Sequence, residues 1–490
     1  MEPKSPSLLD ALTPVLVLII GLAASVTLYG DNASYGPNQI VLFLVAGIAM
    51  IVGWKNGYKW EQLEYGLQKG ISISIGAILI LLAVGSLIGT FLLAGTVPTL
   101  IYYGLHLLNP AIFYAATCVI CAVVALSIGS SWTVAATVGV ALMGVSQGLG
   151  MDKAITAGAV ISGAYFGDKM SPLSETTNLA PAVAGSELFS HIRNMARTSI
   201  PAFVLALLVF VAMGWGQGSD FDPSRLEAMA TGLKVQFQLG WYLLLPLVLV
   251  LVLAMMKMPA FPAIAIGALT GGLWAALFQP DAIRSMSDGS GSYGLMALTV
   301  VWQALFEGIT VQTGTDDLDA LLSGGGMGSM LNTVWLILAA MSFGAVMETC
   351  GLLRRLVQAI LSGVKTSGSL IATTITSCFG VNLLTADQYI AIVVPGRMFK
   401  AEYEERGLSP LNLSRALEDG GTITSPLVPW NSCGAYMQGV LMVNPIDYAL
   451  YAFFNWFSPV IGILLAHLGV GIKMALPRTS RLDSSKESAQ

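Results

Sequence analysis

The stretch of the chain best equipped for chemistry is Gly163–Asn178, which places Asp168, Ser171, Ser174, Glu175, Thr176, Thr177 and Asn178 within a few residues of one another. Carboxylate, hydroxyl and carbonyl oxygens are the ligands that a hard cation such as Na⁺ accepts. Pro172 has no amide hydrogen to offer a helix and Gly167 favours unwinding, so a helix entering this stretch must break in it. A broken helix presents unpaired amides at one end and unpaired carbonyls at the other. Lys169 stands beside Asp168, either as its structural ion partner or as a cation that eases proton release from it without touching the ion.

A second stretch has the same grammar. Gly421–Leu427 repeats the pattern G-x-x-x-S-P-L of Gly167–Leu173. Ser425, Asn431 and Ser432 supply its oxygens, and Thr422 stands where Asp168 stands in the first, so the two half-sites are chemically unequal. Arg415, Glu418 and Asp419 precede it. The two acids are expected either at the cytoplasmic mouth or paired with Arg415, and Trp430 reads as packing. Two further polar interruptions, at 127–133 and 380–387, sit within apolar runs. They supply Ser130, Ser131, Thr133, Asn382, Thr385 and Asp387, although any of these hydroxyls serves equally well as a helix cap. Asp168 and Asp387 are the carboxylates expected to hold Na⁺, since ionisable groups at membrane depth are costly and functional by default. Glu348, followed by Arg354 and Arg355, reads as an interfacial charge.

The elements that must position these residues are apolar. Of 490 residues, 55% are hydrophobic and 10% charged, less than half the charged share of a soluble domain. That excludes an ordinary cytosolic enzyme and a disordered chain, and a net charge of −5 leaves no basic face for nucleic acid. The class is an all-α polytopic membrane protein. Continuous spans are expected at 8–28, 39–54, 71–94, 198–217, 239–257, 259–278, 329–349 and 447–470, with 110–149 and 366–402 as re-entrant hairpins and 153–186 and 412–443 as broken helices. Irregular backbone survives at membrane depth only inside protein or along a cavity. With both termini in the cytoplasm, 18 of the 23 Lys and Arg fall inside, among them Lys257, Arg415, Arg478, Arg481 and Lys486, and four outside, Arg225 among them; this is a strong positive-inside bias.

The repeated motif, and the matching order of span, amphipathic stretch, hairpin and break around it, predict two inverted-topology repeats, an arrangement recurrent in secondary transporters. Gly89 and Gly95 in the first copy echo Gly344 and Gly351 in the second. The expected division is 1–109 scaffold, 110–186 transport half, 187–365 scaffold with an external connector at 279–328, 366–443 second transport half, and 444–490 last span and tail. Five Cys in apolar segments, an odd number without metal spacing, read as buried thiols. His106, His191 and His467 fall near span ends and read as interface residues. No G-x-S-x-G, H-E-x-x-H or phosphate-loop motif is present, so no enzyme and no cofactor are expected.

Residues 162–177, the run Thr385–Tyr389, and Arg415–Asp419 followed by Ser425–Asn431 resemble the NhaC family of sodium/proton antiporters, over roughly residues 70 to 470. The resemblance implies exchange of Na⁺ for H⁺ in a bacterial cytoplasmic membrane, a homodimer, and an elevator-like moving domain on a fixed scaffold. It also implies an alternative, since members of that family have been assigned malate/lactate exchange: an ion-coupled exchanger of an organic anion or amino acid.

Overall fold

The structure, a computed structural model, describes residues 3–215, 223–287, 289, 291–313, 316–361 and 363–475. Arg478, Arg481 and Lys486 and the side chain of Arg225 lie outside that description. Among the described residues the chain is helical throughout, apart from two isolated bridges, Ile309 with Gly324 and Leu408 with Met474.

Three long helices open the chain: α1 (Leu8–Tyr29), α2 (Pro37–Lys55) and α3 (Trp60–Leu93). After the short α4 (Thr96–Leu107) comes a hairpin, with α5 (Phe113–Ile128) as one arm. The other arm is α6 (Ser131–Val134), a π-helical turn (Ala135–Gly139) and α7 (Val140–Gly148). A helix broken in two follows, α8 (Lys153–Met170) and α9 (Glu175–Ala184), and then α10 (Leu188–Gly214). The middle of the chain is α11 (Pro223–Gln236), α12 (Leu245–Met255), α13 (Ala260–Phe278), α14 (Pro280–Met286), α15 (Tyr293–Phe306) and α16 (Asp316–Leu322). Next come α17 (Leu331–Thr349) and α18 (Leu352–Leu361), and a second hairpin, α19 (Ser367–Thr385) and α20 (Gln388–Glu405). A second break follows α21 (Pro410–Leu417), through a π-turn (Glu418–Thr422) and a 3-10 turn (Ser425–Leu427), before α22 (Ser432–Leu441). The short α23 (Pro445–Ala449) leads into α24 (Phe453–His467).

Eight of the described helices are long and apolar enough to cross a membrane, and a ninth crossing exists if Met229–Gln236 and Trp241–Met255, bent by 82°, count as one. The chain is therefore a multi-pass membrane protein. Turns and breaks fall where polar interruptions predicted them, because the same residues that lack helix propensity also cap the helix ends; but the first arms of both hairpins, Pro110–Ile128 and Ser367–Thr385, expected to dip in without crossing, are among the eight helices long and apolar enough to cross. α8 packs along α5 at very short range. A Cβ on Gly163 would lie 2.1 Å from the Cys118 carbonyl oxygen, and one on Gly167 2.2 Å from that of Ala122.

Three sequence expectations need correction. α3 begins eleven residues before the expected span: Gln62 caps its start by accepting from the Lys59 amide at 2.9 Å, and at 34 residues it is about 51 Å long, well beyond a bilayer core. The expected span 447–470 is interrupted between α23 and α24, where the Tyr451 main chain presses onto Gly158 of α8 at a distance only glycine permits. The expected span 239–257 reduces to a 3-10 turn (Trp241–Leu244) and α12. Within the external connector, α15 is an apolar helix packed on α3 and α13, hidden in sequence by its glycine-rich surroundings.

Candidate functional site

Each hairpin turns by the same device. α5 ends on Gly129 in the left-handed region (φ 77°), and the next residue, Ser130, is extended and caps α6, accepting from the Thr133 amide at 3.2 Å. α19 ends on Ala386, also left-handed (φ 57°), and Asp387 is extended and caps α20, accepting from the Ile390 amide at 2.9 Å. A non-glycine residue in this region is strained, and such strain clusters at functional sites.

The first break is closed by its own side chains. Pro172 stops α8, Ser174 caps α9, the Thr177 hydroxyl donates to the Lys169 carbonyl at 3.0 Å, and Asn178 Nδ2 donates to the carbonyls of Pro172 (2.9 Å) and Ser174 (2.7 Å). The first tip rests on this break. Gly129 sits so close to Leu173 and Ser174 that a Cβ would meet their main chain at 2.7–2.8 Å. Asp168 Oδ2 then accepts from the Ser131 amide at 3.1 Å and from the Ser131 hydroxyl at 2.7 Å. The second tip rests on the second break, the Ser432 amide donating to the Ala386 carbonyl at 2.8 Å. The two pairs are joined where Trp132 stacks on Tyr436 at 4.0 Å and the Tyr436 hydroxyl donates to the Trp132 carbonyl at 3.0 Å.

Where they meet there is a cavity of about 790 Å³. Its polar wall carries three carboxylates, Asp168, Glu175 and Asp387, with hydroxyls of Ser130, Ser131, Thr133, Ser174, Thr176 and Ser432. Glu175 accepts from the Tyr389 hydroxyl at 2.6 Å. The opposite wall is α3, from Ile73 to Ile80, and the turn between α12 and α13, where Lys257 supplies the one lining cation among the described residues. Lys257 is a further non-glycine residue at positive φ (63°).

A family model described as the Na⁺/H⁺ antiporter family matches residues 163–470, from the first break through the second hairpin and second break to the end of α24. The chain belongs to that family. It is 37% identical to the Na⁺/H⁺ antiporter NhaC of Alkalihalophilus pseudofirmus, over 93% of this chain and 96% of that one. It is 34% identical to the malate-2H⁺/Na⁺-lactate antiporter of Bacillus subtilis, over 96% of each. It is also 34% identical to the arginine/ornithine antiporter ArcD of Halobacterium salinarum, over 99% of this chain and 97% of that one. The resemblance to NhaC read from the motifs is thus borne out over nearly the whole length.

Of the expected ion-binding residues, Ser130, Ser131, Asp168, Glu175, Asn178 and Asp387 are brought to the cavity wall. Ser171, Thr177, Asn382, Thr385, Ser425 and Asn431 are not among its lining residues, and the reason is common to them. They are fully buried, and their polar atoms are taken by backbone or, for Asn382 and Asn431, partly by one another. Ser171 Oγ accepts from the Leu173 amide at 3.3 Å, the Thr177 hydroxyl closes α8 as described, and the Thr385 hydroxyl donates to the Val381 carbonyl at 2.9 Å. Asn382 Nδ2 donates to the Gly421 carbonyl at 2.6 Å, the Ser425 hydroxyl to the Thr422 carbonyl at 2.7 Å, and Asn431 caps α22 while its Nδ2 donates to Asn382 Oδ1 at 3.1 Å.

Lys169 is also corrected. Its ammonium pairs with Asp419 and donates to the Ser458 hydroxyl at 2.8 Å, rather than lying against Asp168. Asp419 Oδ1 accepts in addition from Ser458 at 2.9 Å and Thr198 at 3.1 Å. Lys169, Arg415, Glu418 and Asp419 are all wholly buried, so the two acids sit in the interior and not at a mouth, and Arg415 pairs with neither. Sequence did hold a signal for the Lys169–Asp419 pair: the two broken helices carry opposite charges at membrane depth, where each demands a partner. His191 likewise leaves the interface. It is buried, with Nδ1 2.8 Å from the Ser414 hydroxyl.

Proposed function

We propose that the protein is a secondary active transporter that exchanges Na⁺ for H⁺ across a bacterial cytoplasmic membrane by alternating access. The observation that carries this reading is the sign of the cavity, where three carboxylates and a ring of hydroxyls face a single lysine. A dehydrated Na⁺ finds there the oxygens it needs, and a carboxylate that must shed its proton before taking Na⁺ makes the two ions compete for one place. Asp168 is the first choice for that carboxylate, because Ser131 already holds one of its oxygens in place. Asp387 and Glu175 come next.

Alternating access needs the site to lie between a moving and a fixed part, and two features support that arrangement. The shared tip geometry and the shared G-x-x-x-S-P-L breaks favour two inverted repeats. The cavity has the hairpins and breaks (110–186 and 366–443) on one side and α3 with the α12–α13 turn on the other. We assign the former to an elevator-like moving block and 1–109 and most of 187–365 to the scaffold. α10 and α24 belong with the moving block, because Thr198 and Ser458 bind the buried Lys169–Asp419 pair and a buried charge pair does not slide. The termini are assigned to the cytoplasm on the charge count, and the assembly to a homodimer.

One observation favours a second reading. About 790 Å³ exceeds the need of one cation and lies within the range of small-molecule sites, so an organic cargo fits by volume. The surplus of carboxylates favours a cationic amino acid over malate or lactate. Ion flux in proteoliposomes, with Na⁺, K⁺, malate, lactate and arginine supplied separately, decides between the readings. If H⁺ and Na⁺ compete, lowering pH raises the apparent KM for Na⁺ by up to about tenfold per unit with little loss of maximal rate. Asp168→Asn abolishes pH-dependent Na⁺ exchange while leaving a folded protein, and Glu307→Gln, on the connector, behaves as wild type. Near-normal Na⁺-driven proton flux in Asp168→Asn overturns the assignment.

A further inference from the structure

The Arg415 side chain has no exposed surface, and its Nε, Nη1 and Nη2 all lack a hydrogen-bond partner among the described residues. A guanidinium cannot escape by losing its proton, so burying one without an anion carries a large desolvation cost. The neighbouring acids give it no hydrogen bond: Asp419 Oδ1 is held by Lys169, Ser458 and Thr198, and Asp419 Oδ2 and both Glu418 oxygens have no partner among the described residues either, so Asp419 supplies charge at short range without ligating the guanidinium. Arg415 makes no ion pair among the described residues.

A second guanidinium approaches the same place. Gly471, in the loop after α24, has φ 73°, and a Cβ there would lie 3.2 Å from Arg197 Nη1 and 3.7 Å from Arg415 Nη1. A third cation is fixed beside them by main-chain bonds. The Lys473 amide donates to Asn412 Oδ1 at 3.0 Å, and its carbonyl accepts from Asn412 Nδ2 at 2.6 Å and from the Ser409 amide at 2.9 Å. Partial burial, then the charges of Arg197, Arg415 and Arg193, hold the Lys473 ammonium below its ordinary pKa. Leu464, Leu468 and Val470, just before Gly471 in the chain, and Ile200, one helical turn from Arg197, are exposed apolar side chains, the kind of surface that faces lipid.

We propose that Arg415, Arg197 and Lys473 form a binding site for a phosphate oxyanion, apart from the ion cavity. Planar guanidinium forks match phosphate geometry, and the lipid-facing rim admits either a free phosphate or the headgroup of an anionic phospholipid. The test is thermal unfolding of the full-length protein in a non-ionic detergent at constant ionic strength. One arm adds inorganic phosphate. The other adds short-chain phosphatidylglycerol, with phosphatidylcholine as the net-neutral comparison. At saturation the site raises the melting temperature by about 3 °C in at least one arm. A shift with phosphate alone identifies the free ion, and a shift with phosphatidylglycerol alone identifies the headgroup. Arg415→Lys keeps the charge but loses the fork and halves the shift or worse. Arg197→Gln, at an exposed position that does not endanger folding, does the same. No shift in either arm, or an undiminished shift in Arg197→Gln, overturns the proposal.

Discussion

Replacing Lys169 by Met tests the buried charge pair that joins the two broken helices. Both members have no exposed side-chain surface. The substitution leaves Asp419 with only the Ser458 and Thr198 hydroxyls, at 2.9 and 3.1 Å. Breaking such a pair from one side costs about 3–5 kcal/mol, because the remaining charge stays buried, whereas replacing both members by neutral groups of similar volume is often close to neutral. At the typical unfolding entropy of about 2.1 cal/mol/K per residue, a chain of this length loses roughly 1 °C for each kcal/mol. The Lys169→Met protein should therefore melt about 3–5 °C below wild type, and Asp419→Asn should fall comparably. The double variant should recover most of the loss, so that its destabilisation falls well below the sum of the two single losses in a double-mutant cycle. The assay is thermal unfolding of detergent-purified protein followed by tryptophan fluorescence. Additive losses in the double variant, or a Lys169→Met protein as stable as wild type, would show that the pair does not hold the two halves together.

Two further predictions rest on separate geometry. Gly163→Ala forces α5 and α8 apart, since the added methyl meets main-chain atoms of Cys118 at 2.1 Å that cannot swing aside, and should cost about 1–3 kcal/mol; Gly380→Ala, with nothing within 4 Å of its Cβ, should melt at or slightly above the wild-type temperature, and equal melting of the two variants would refute the close-packing argument. Asp387→Asn keeps the cap on α20 but removes the charge, whereas Asp387→Ala removes both, so loss of Na⁺ exchange in the Asn variant at wild-type melting temperature is expected, and full activity there would reduce Asp387 to a cap.

The sequence was most legible where one physical rule acted alone. Hydropathy placed α1, α2, α13 and α17, and Pro172 with Gly167 placed the first break, because local chemistry decides both. It was less legible where a segment's own pattern was mild. The start of α3 is polar, yet it is built of good helix formers with a cap, so the helix runs on past the membrane. α23 and α24 read as one apolar run because nothing local announces that the main chain at Tyr451 will lie against Gly158. The cavity residues were recovered only in part, for a related reason. A break creates orphan carbonyls, and any nearby hydroxyl or amide can satisfy a carbonyl or face an ion. Thr177, Asn382 and Ser425 had the right chemistry for a ligand, but a carbonyl lay closer.

That competition separates the two breaks. In the second, the carbonyls of Gly420, Gly421, Thr422, Ile423 and Pro426 accept from Thr424, Asn382, Ser425, Asn455 and Tyr448 at 2.5–2.7 Å. A backbone so completely bonded is stiff and has no carbonyl to spare, although Glu418, Asp419 Oδ2 and Thr422 Oγ1 keep buried oxygens without a partner among the described residues, and of the second break only Ser432 at its far end reaches the cavity. The first break also closes its carbonyls, but with Thr177 and Asn178, which leaves Asp168, Ser174, Glu175 and Thr176 on the wall. The replacement of Asp168 by Thr422 across the repeated motif is then one part of a larger asymmetry, in which, on the function proposed above, the first break would handle the ion while the second braces the second hairpin. Substitutions around Asn382 and Thr424 should accordingly register in melting temperature before they register in ion affinity, and those around Asp168 and Ser131 in the opposite order. Melting temperature and KM for Na⁺ measured on the same set of variants separate the two, and an ordering that runs the other way would place the ion at the second break.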